Sequence, residues 1–346
     1  MRRGITVAGS LLADVFYNAP TYPKEGMLIQ AKSSGISIGG TGNIILDLAR
    51  LDPTLEVTVS ARLGEDGIAD DIITALSAEG NVDTSHVVRR GESSKTIVIN
   101  SADTKARTFF YIPAASDEFG INDIPFDKIN SKIFLLEYLL LMKKADSPDE
   151  EYGTHGARIL AEAKKRGMIT SVDVVSEAGD RARGVVSAAL KYTDICCINE
   201  LEASAVTQID LSDIDKCKES LTYLSNNSAK NSTRPPLISA FERIRKLGVS
   251  KWIIIHTSAC GFGFDCESGE VVCLESLRLP KDYIKGSTGA GDAYCSGILY
   301  GAHEGKSLRD SMRIARAAAA ASLSENNGTD GMRPLSEIMK LEELYG

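Results

Sequence analysis

Short apolar runs alternate with stretches of helical period along most of the chain. Ile5–Ala8, Glu56–Ala61, Ile133–Leu136, Ile169–Asp173, Ile195–Ile198 and Trp252–His256 read as buried strands. Between them, Gly42–Leu51, Gly67–Glu79, Glu151–Arg166, Arg181–Leu190, Glu200–Thr207 and Ser239–Leu247 read as helices. This alternation predicts βαβ units, hence an α/β fold: a Rossmann-like, doubly wound, mainly parallel sheet with helices on both faces. Such sheets bind ligands beyond the carboxyl ends of their strands. Two regions, about 15–38 and 95–112, break the rhythm with strand patterns and no helix between them. In the second, Thr96–Asn100 and Thr108–Ile112 flank the turn-like Ser101–Ala106, a hairpin pattern. A small β-sheet lid on an α/β body accounts for both. Ser225–Pro236, rich in Asn, Ser and Pro, reads as a surface loop. With no internal repeat, residues 1–346 are expected to form one domain.

Composition narrows the function classes. Of 346 residues, 43% are hydrophobic and 25% charged, enough to bury a core without covalent staples. The net charge is −8 and the Lys and Arg are scattered, so the clustered cations that nucleic-acid binding needs are missing. Seven Cys form no C-x-x-C pair, which points to reduced thiols in a cytoplasmic protein. The spacing of Cys260, Cys266 and Cys273 fits no usual zinc pattern. Arg2 and Arg3 precede the apolar run Ile5–Ala13, but Asp14 ends it without a cleavage motif, so it reads as a first strand. Ile133–Met142 contains Glu137 and is too short to span a bilayer. The expectation is a soluble protein with no membrane and no nucleic-acid partner.

The strongest local signal is Gly286-Ser287-Thr288-Gly289-Ala290-Gly291-Asp292-Ala293, ahead of the apolar helical run Ala290–His303. Three glycines in six residues permit close backbone approach and positive φ. A helix starting there presents free amides and its positive dipole end to an anion. Asp292 has two readings: a residue compensating the helix dipole, or a general base beside the anion site. No Lys-Ser or Lys-Thr follows the glycines, so this is not a Walker A loop, and G-x-G-x-x-G is not matched.

Ser-Thr-Gly-Ala-Gly-Asp-Ala resembles the C-terminal signature of the ribokinase-like (PfkB) carbohydrate kinases. The resemblance implies that the amides of Gly289, Ala290 and Gly291 form the anion hole and that Asp292 is the catalytic base. Four further stretches, in family order, carry the resemblance over about residues 4 to 330. Gly9 to Asp14 is similar to the family opening, which implies that Asp14 binds substrate hydroxyls. Gly39-Gly40-Thr41-Gly42-Asn43, running into Ala49-Arg50-Leu51, is similar to the N-terminal signature and implies that Gly39, Gly40 and Asn43 hold the acceptor. Arg107 to Tyr111 resembles the lid strand that covers the substrate, which implies a ligand contact for Arg107; by itself it also reads as a solvated strand arginine. Asn199-Glu200-Leu201-Glu202 matches Asn-x-x-Glu, which implies that Glu202 holds Mg2+ through water and that Asn199 serves the phosphates; it also fits an ordinary capped helix start.

The resemblance further implies ATP over His256–Phe264 and near Ala315–Gly328, with Thr257, Gly261, Gly263, Thr288 and Gly328 as contacts. Gly286 replaces the Asp that opens the family signature, which argues against potassium activation. Ser258 stands where many members have Gly, and Asp173-Val174-Val175-Ser176 departs from Asp-Pro-Asn-x-Arg. The implied activity is ATP-dependent phosphorylation of a sugar or sugar-like hydroxyl. Alternatives are a nucleoside acceptor, with Tyr17, Phe110 or Tyr111 lining a slot, a sugar-phosphate acceptor, or a catalytically weak sugar or nucleotide sensor. Pairing through exposed lid edges would give a homodimer.

Overall fold

Strand Ile5–Gly9 is hydrogen-bonded on both sides, in parallel with Val57–Leu63 and with Ile133–Leu139, and it forms the middle of the body. The structure is a computed structural model and describes residues 3–104, 106–176, 180–225 and 235–346. Outward from the centre, Ile169–Val174, Ile195–Asn199 and Trp252–His256 follow in parallel, and Cys260–Asp265 and Val271–Glu275 close that edge antiparallel. With Val82–Asp83 and Val88–Arg89 beyond Val57–Leu63, this is a ten-stranded sheet.

Alternation along each parallel strand divides the core in two. Ile5, Val7, Ile133, Leu135, Ile195 and Cys197 join one cluster with the helices Gly42–Leu51, Ala290–His303 and Leu308–Ser322. Phe134, Leu136, Cys196 and Ile198 join the other with His155–Lys165, Ala182–Leu190 and Pro236–Leu247. Burying both faces is what makes these strands continuous apolar runs. It contributes roughly 1.5–3 kcal/mol for each fully buried aliphatic side chain.

A four-stranded lid lies outside this body, in the order Lys32–Gly40, Leu11–Ala19, Lys95–Ser101, Arg107–Ile112. The lid strands extend to both ends of the expected windows, and residues 20–31 between the first two form no strand.

Two expectations need correction. The helix expected from Glu151 begins at His155, because Asp149 accepts hydrogen bonds from the Glu151 and Tyr152 amides and pins a short Pro148–Asp149/Gly153–Thr154 hairpin. Thr154 then caps the helix by accepting from the Ala157 amide. The helix expected from Ser239 starts at Pro236, where proline's missing N–H and fixed φ suit a first turn. The expected loop at 225–236 falls mostly outside the described residues. No helix among those residues is long and apolar enough to cross a membrane.

Candidate active site

The glycine-rich turn enters its helix through Gly289, whose φ of 77° lies in the left-handed region. A Cβ there would stand 2.5 Å from the Gly328 Cα, so two glycines meet where side chains would not fit. The first backbone bond into the helix runs from the Ala293 amide to the Gly289 carbonyl, 2.8 Å. The amides of Gly291 and Asp292 therefore precede the helical ladder and are the groups this helix start offers to an anion, while the Ala290 amide makes a long 3.4 Å bond to the Ser287 carbonyl. Asp292, half-buried in this first turn, accepts from Asn43 Nδ2 at 2.8 Å on Oδ2. Tyr138 Oη donates to both its oxygens, at 3.1 and 3.2 Å. Burial pushes its carboxyl up to about 6; the bonds from Asn43 and Tyr138 oppose that shift, and nearby Asp14 adds to it.

The acceptor residues expected from sequence converge on Asp292 from the lid side. Asp14 lies on the lid strand opposite Ser37 and Thr96, with a carboxyl that burial raises to about 6 against a Thr96 hydrogen bond. A Cβ on Gly39 would come 2.5 Å from Asp14 Oδ2, so the missing side chain is what gives that carboxylate its room. Gly40 takes a φ of 59°, and a Cβ on it would strike the Ser10 carbonyl. The chain thereby turns into the helix that carries Asn43. Arg107 reaches across to Thr288 Oγ1 and lines a cavity of about 510 Å3 with Phe16, Asn18, Ser37 and Asn100, on the lid face that carries Asp14. Lid alternation moves the aromatics. Phe16, Phe109 and Tyr111 share Asp14's face, whereas Tyr17 and Phe110 lie on the other.

On the far side of the turn is a cleft of about 340 Å3. Asn199, Thr257, Gly261, Ser287, Ala290 and Gly291 line it, together with Leu277, Leu323 and other apolar side chains. That mix suits an apolar ring with a polar tail. Three expected nucleotide contacts lie elsewhere. Gly263 backs onto Met312 and Leu308, where a Cβ would clash, so its role is sheet–helix packing. Gly328 packs against Gly289 and Asn43, and Thr288 is held by Arg107. Asn199 caps its helix by accepting from the Leu201 and Glu202 amides. Glu202 answers by accepting from the Asn199 amide, and also from Asn199 Nδ2 and Ser176 Oγ. Both Glu202 oxygens are thus engaged, and burial raises its carboxyl to about 7.

Besides Tyr138, four residues join the site without having been assigned a role from sequence. Glu137 and Asp47 are both 0% exposed, and neither has a hydrogen-bond partner on either carboxylate oxygen. Glu137, Asp173 and Asp292 each bring an oxygen within 4.8 Å of the other two. Burial, and after it mutual repulsion with Asp292, drives the carboxyls of Glu137 and Asp47 well above the ordinary range. Burial does the same for Asp173, followed by repulsion from Glu202 and then Asp292. His256, at the end of its strand under Gly291, is held neutral by burial, with its pKa lowered to about 4. One sequence signal was available: Glu137 is a charged residue inside the most apolar strand.

A model of the pfkB family of carbohydrate kinases matches residues 2–334. A ribokinase from Arabidopsis thaliana is 25% identical over 354 residues, covering 97% of this chain and 80% of that protein. A Haemophilus influenzae ribokinase is 23% identical over 346 residues, covering 99% of each. Among solved structures, Arabidopsis thaliana ribokinase complexed with ribose and ATP has a TM-score of 0.78 at 20% identity, covering 99% of both chains. Ribokinase from Thermotoga maritima has a TM-score of 0.76 at 18% identity, again over 99% of both chains. The ribokinase-like fold is therefore shared along the full length. Since the family model spans nearly the whole chain, this kinase belongs to the pfkB family of carbohydrate kinases.

Proposed function

We propose that the chain transfers the γ-phosphate of ATP to a hydroxyl of a sugar or sugar-like acceptor, with Asp292 as general base and the amides of Gly289–Asp292 as anion hole. The observation that carries this reading is the position of Asp292 between two spaces. On one side its turn lines the cleft with Ala290 and Gly291; on the other Asn43 holds its carboxylate next to the Asp14 group. The acceptor oxygen attacks the γ-phosphorus, the bond to the β,γ-bridging oxygen breaks, ADP leaves, and Asp292 takes the hydroxyl proton. Charge spreading over the transferring group falls on the amides of the helix start, which need no reorganisation to meet it.

Mg2+ fits the donor chemistry present. The buried donors near the turn are carboxylate oxygens, the hard ligands that this ion takes while keeping several waters. Glu202, both of whose oxygens are already hydrogen-bonded, would hold it through water, with Asp173 beside it. When bound, it neutralises phosphate charge. An Escherichia coli structure of the same fold, with a TM-score of 0.74 at 17% identity, is in complex with ATP and Mg2+.

The Arabidopsis thaliana relative was solved with ribose, so ribose heads the acceptor panel. A nucleoside is the second reading, favoured by Phe109, which is 60% exposed on the lid face that carries Asp14. The edge strands Lys32–Gly40 and Arg107–Ile112 leave room for a second copy to pair. The deciding experiment measures ADP release from Mg-ATP across sugars, nucleosides and sugar phosphates. Acceptor-dependent ADP that disappears in Asp292→Asn, with ATP binding kept, supports the reading. Ligand binding without ADP from any acceptor points instead to a sensor.

A further inference from the structure

Tyr138 lies outside the chemistry described above, yet its hydroxyl is on the catalytic carboxylate. It contacts both oxygens of Asp292, at 3.1 and 3.2 Å, so one phenolic proton is shared between two acceptors. Hydroxyl bonds to carboxylates run about 2.5–2.7 Å when strong. This one is long and divided, unlike the 2.8 Å Asn43 bond that fixes Oδ2. Burial, and then the negative charge of Asp292, Glu137 and Asp173, pushes the phenol well above its ordinary range, so it stays a donor.

The backbone is bent to put the hydroxyl there. Tyr138 has φ 61° and Leu140 φ 82°, a left-handed region unfavourable for residues with a Cβ. The Leu141 amide closes a turn onto the Tyr138 carbonyl at 3.1 Å, and the Asp146 carboxylate accepts from the Leu140 amide at 3.0 Å. The lid grips the same turn: Tyr111 Oη donates to the Leu141 carbonyl at 3.0 Å. A continuous path therefore runs from the lid strand through Tyr111 and Leu141 to Tyr138 and Asp292.

We propose that Tyr138 determines the choice of an alcohol acceptor over water: its hydroxyl occupies the acceptor's place on Asp292 and leaves only when an acceptor enters under the lid. The inference rests on Asp292 being the base. In the reaction it prevents, a water oxygen would bond to the γ-phosphorus, the bond to the bridging oxygen would break, ADP would leave, and Asp292 would take the water's proton. The straddling phenol keeps water from that position. A sugar, held also by Asp14 and the Gly39–Gly40 backbone, can displace it.

Tyr138→Phe keeps the ring and removes the hydroxyl. With Mg-ATP alone and no acceptor, it is expected to release ADP about tenfold faster than wild type, the scale of one lost hydrogen bond to an ionised group. Adding Asp292→Asn should abolish that gain. With ribose or the best acceptor of the panel, KM should fall by more than kcat changes, since no hydroxyl has to be displaced. Tyr111→Phe, which releases the lid's hold on the turn, should move both readings the same way by less. Melting curves check that each variant is folded. Unchanged acceptor-free ADP release in folded Tyr138→Phe would overturn the inference, as would a raised acceptor KM. If wild type shows no Asp292-dependent ADP with any acceptor, the kinase reading fails separately, because the acceptor-free comparison needs no acceptor.

Discussion

Asp292 answers to two opposed demands. As a base it must be ionised, yet burial raises its carboxyl from 3.8 to about 6. Turnover should therefore fall as pH drops through about 6, which kcat measured from pH 5 to 8 will show. A flat profile across that range would remove Asp292 from the role of base. Stability runs the other way. A carboxyl whose folded value exceeds its unfolded one contributes stability that is fully present below about 3.8 and lost as pH rises through about 6. Asp14 behaves alike. At pH 7.5 Asp292→Asn removes a partly buried charge and should melt about 2 °C or more above wild type. Inactivation accompanied by stabilisation is the signature of a strained functional residue rather than a damaged fold. Asn43 and Asp292 stood out in the sequence because each sits beside glycines that announce a close approach, whereas Asp14 was singled out only by the resemblance of its strand to the family opening. Glu137 and Asp47 were not. Each is a single acid in an apolar stretch, and only the meeting of a strand end with a helix face shows that both point toward the base.

At the scale of elements, the turn and the helix it feeds act as one part. Gly289→Ala would put a Cβ 2.5 Å from the Gly328 Cα at a φ of 77°. Left-handed backbone costs a residue with a Cβ about 1–2 kcal/mol, and the contact forces the turn or the 325–330 loop to move. Displacements near 1 Å at a reacting centre cost about a hundredfold in rate. Turnover should fall by about that factor, with only a modest drop in melting temperature; near-wild-type kcat would mean that the amides of this turn are not aimed at the transferring group. Gly42–Leu51, whose faces contrast, was read to the residue, and so was Glu200–Thr207, whose faces barely contrast but whose start is marked by the Asn199–Glu202 cap. Leu308–Ser322 was missed as a helix although its faces contrast nearly as strongly as those of Gly42–Leu51; that stretch was read only for nucleotide contacts near Ala315–Gly328. The Pro148–Thr154 hairpin was absorbed into a helix because what stops the helix there is the Asp149 side chain holding backbone amides, which leaves no trace in hydrophobic spacing.

Across the whole molecule, the layered sheet brings carboxylates from five elements to one end. Asp14 comes from the lid, Asp47 from the first helix, Glu137 and Asp173 from adjacent strands, and Asp292 from the glycine-rich helix. Two arginines near this end are engaged: Arg50 with Glu79 at 2.8 Å and the Thr329 carbonyl at 2.9 Å, and Arg107 with Thr288. Neutral sugars suit such a pocket, because their hydroxyls can donate to the carboxylates of Asp14 and Asp292. An acceptor that already carries a phosphate does not. Two unit charges about 6 Å apart repel by about 2–3 kcal/mol at an effective dielectric of 20, and above about pH 6 a dianion meets the charges of Asp14 and Asp292. The kcat/KM for a sugar phosphate should be at least about a hundredfold below that of its parent sugar. A group able to reverse this is Arg107, which would have to leave Thr288 and swing inward to clamp a second phosphate. The comparison is therefore run in wild type and in Arg107→Ala. A sugar phosphate that outperforms its parent sugar in wild type and loses that advantage in Arg107→Ala would turn the acceptor class around and make the lid arginine its recognition element. Discrimination against the phosphate that persists in both proteins would trace acceptor choice to the carboxylates gathered at the end of the sheet.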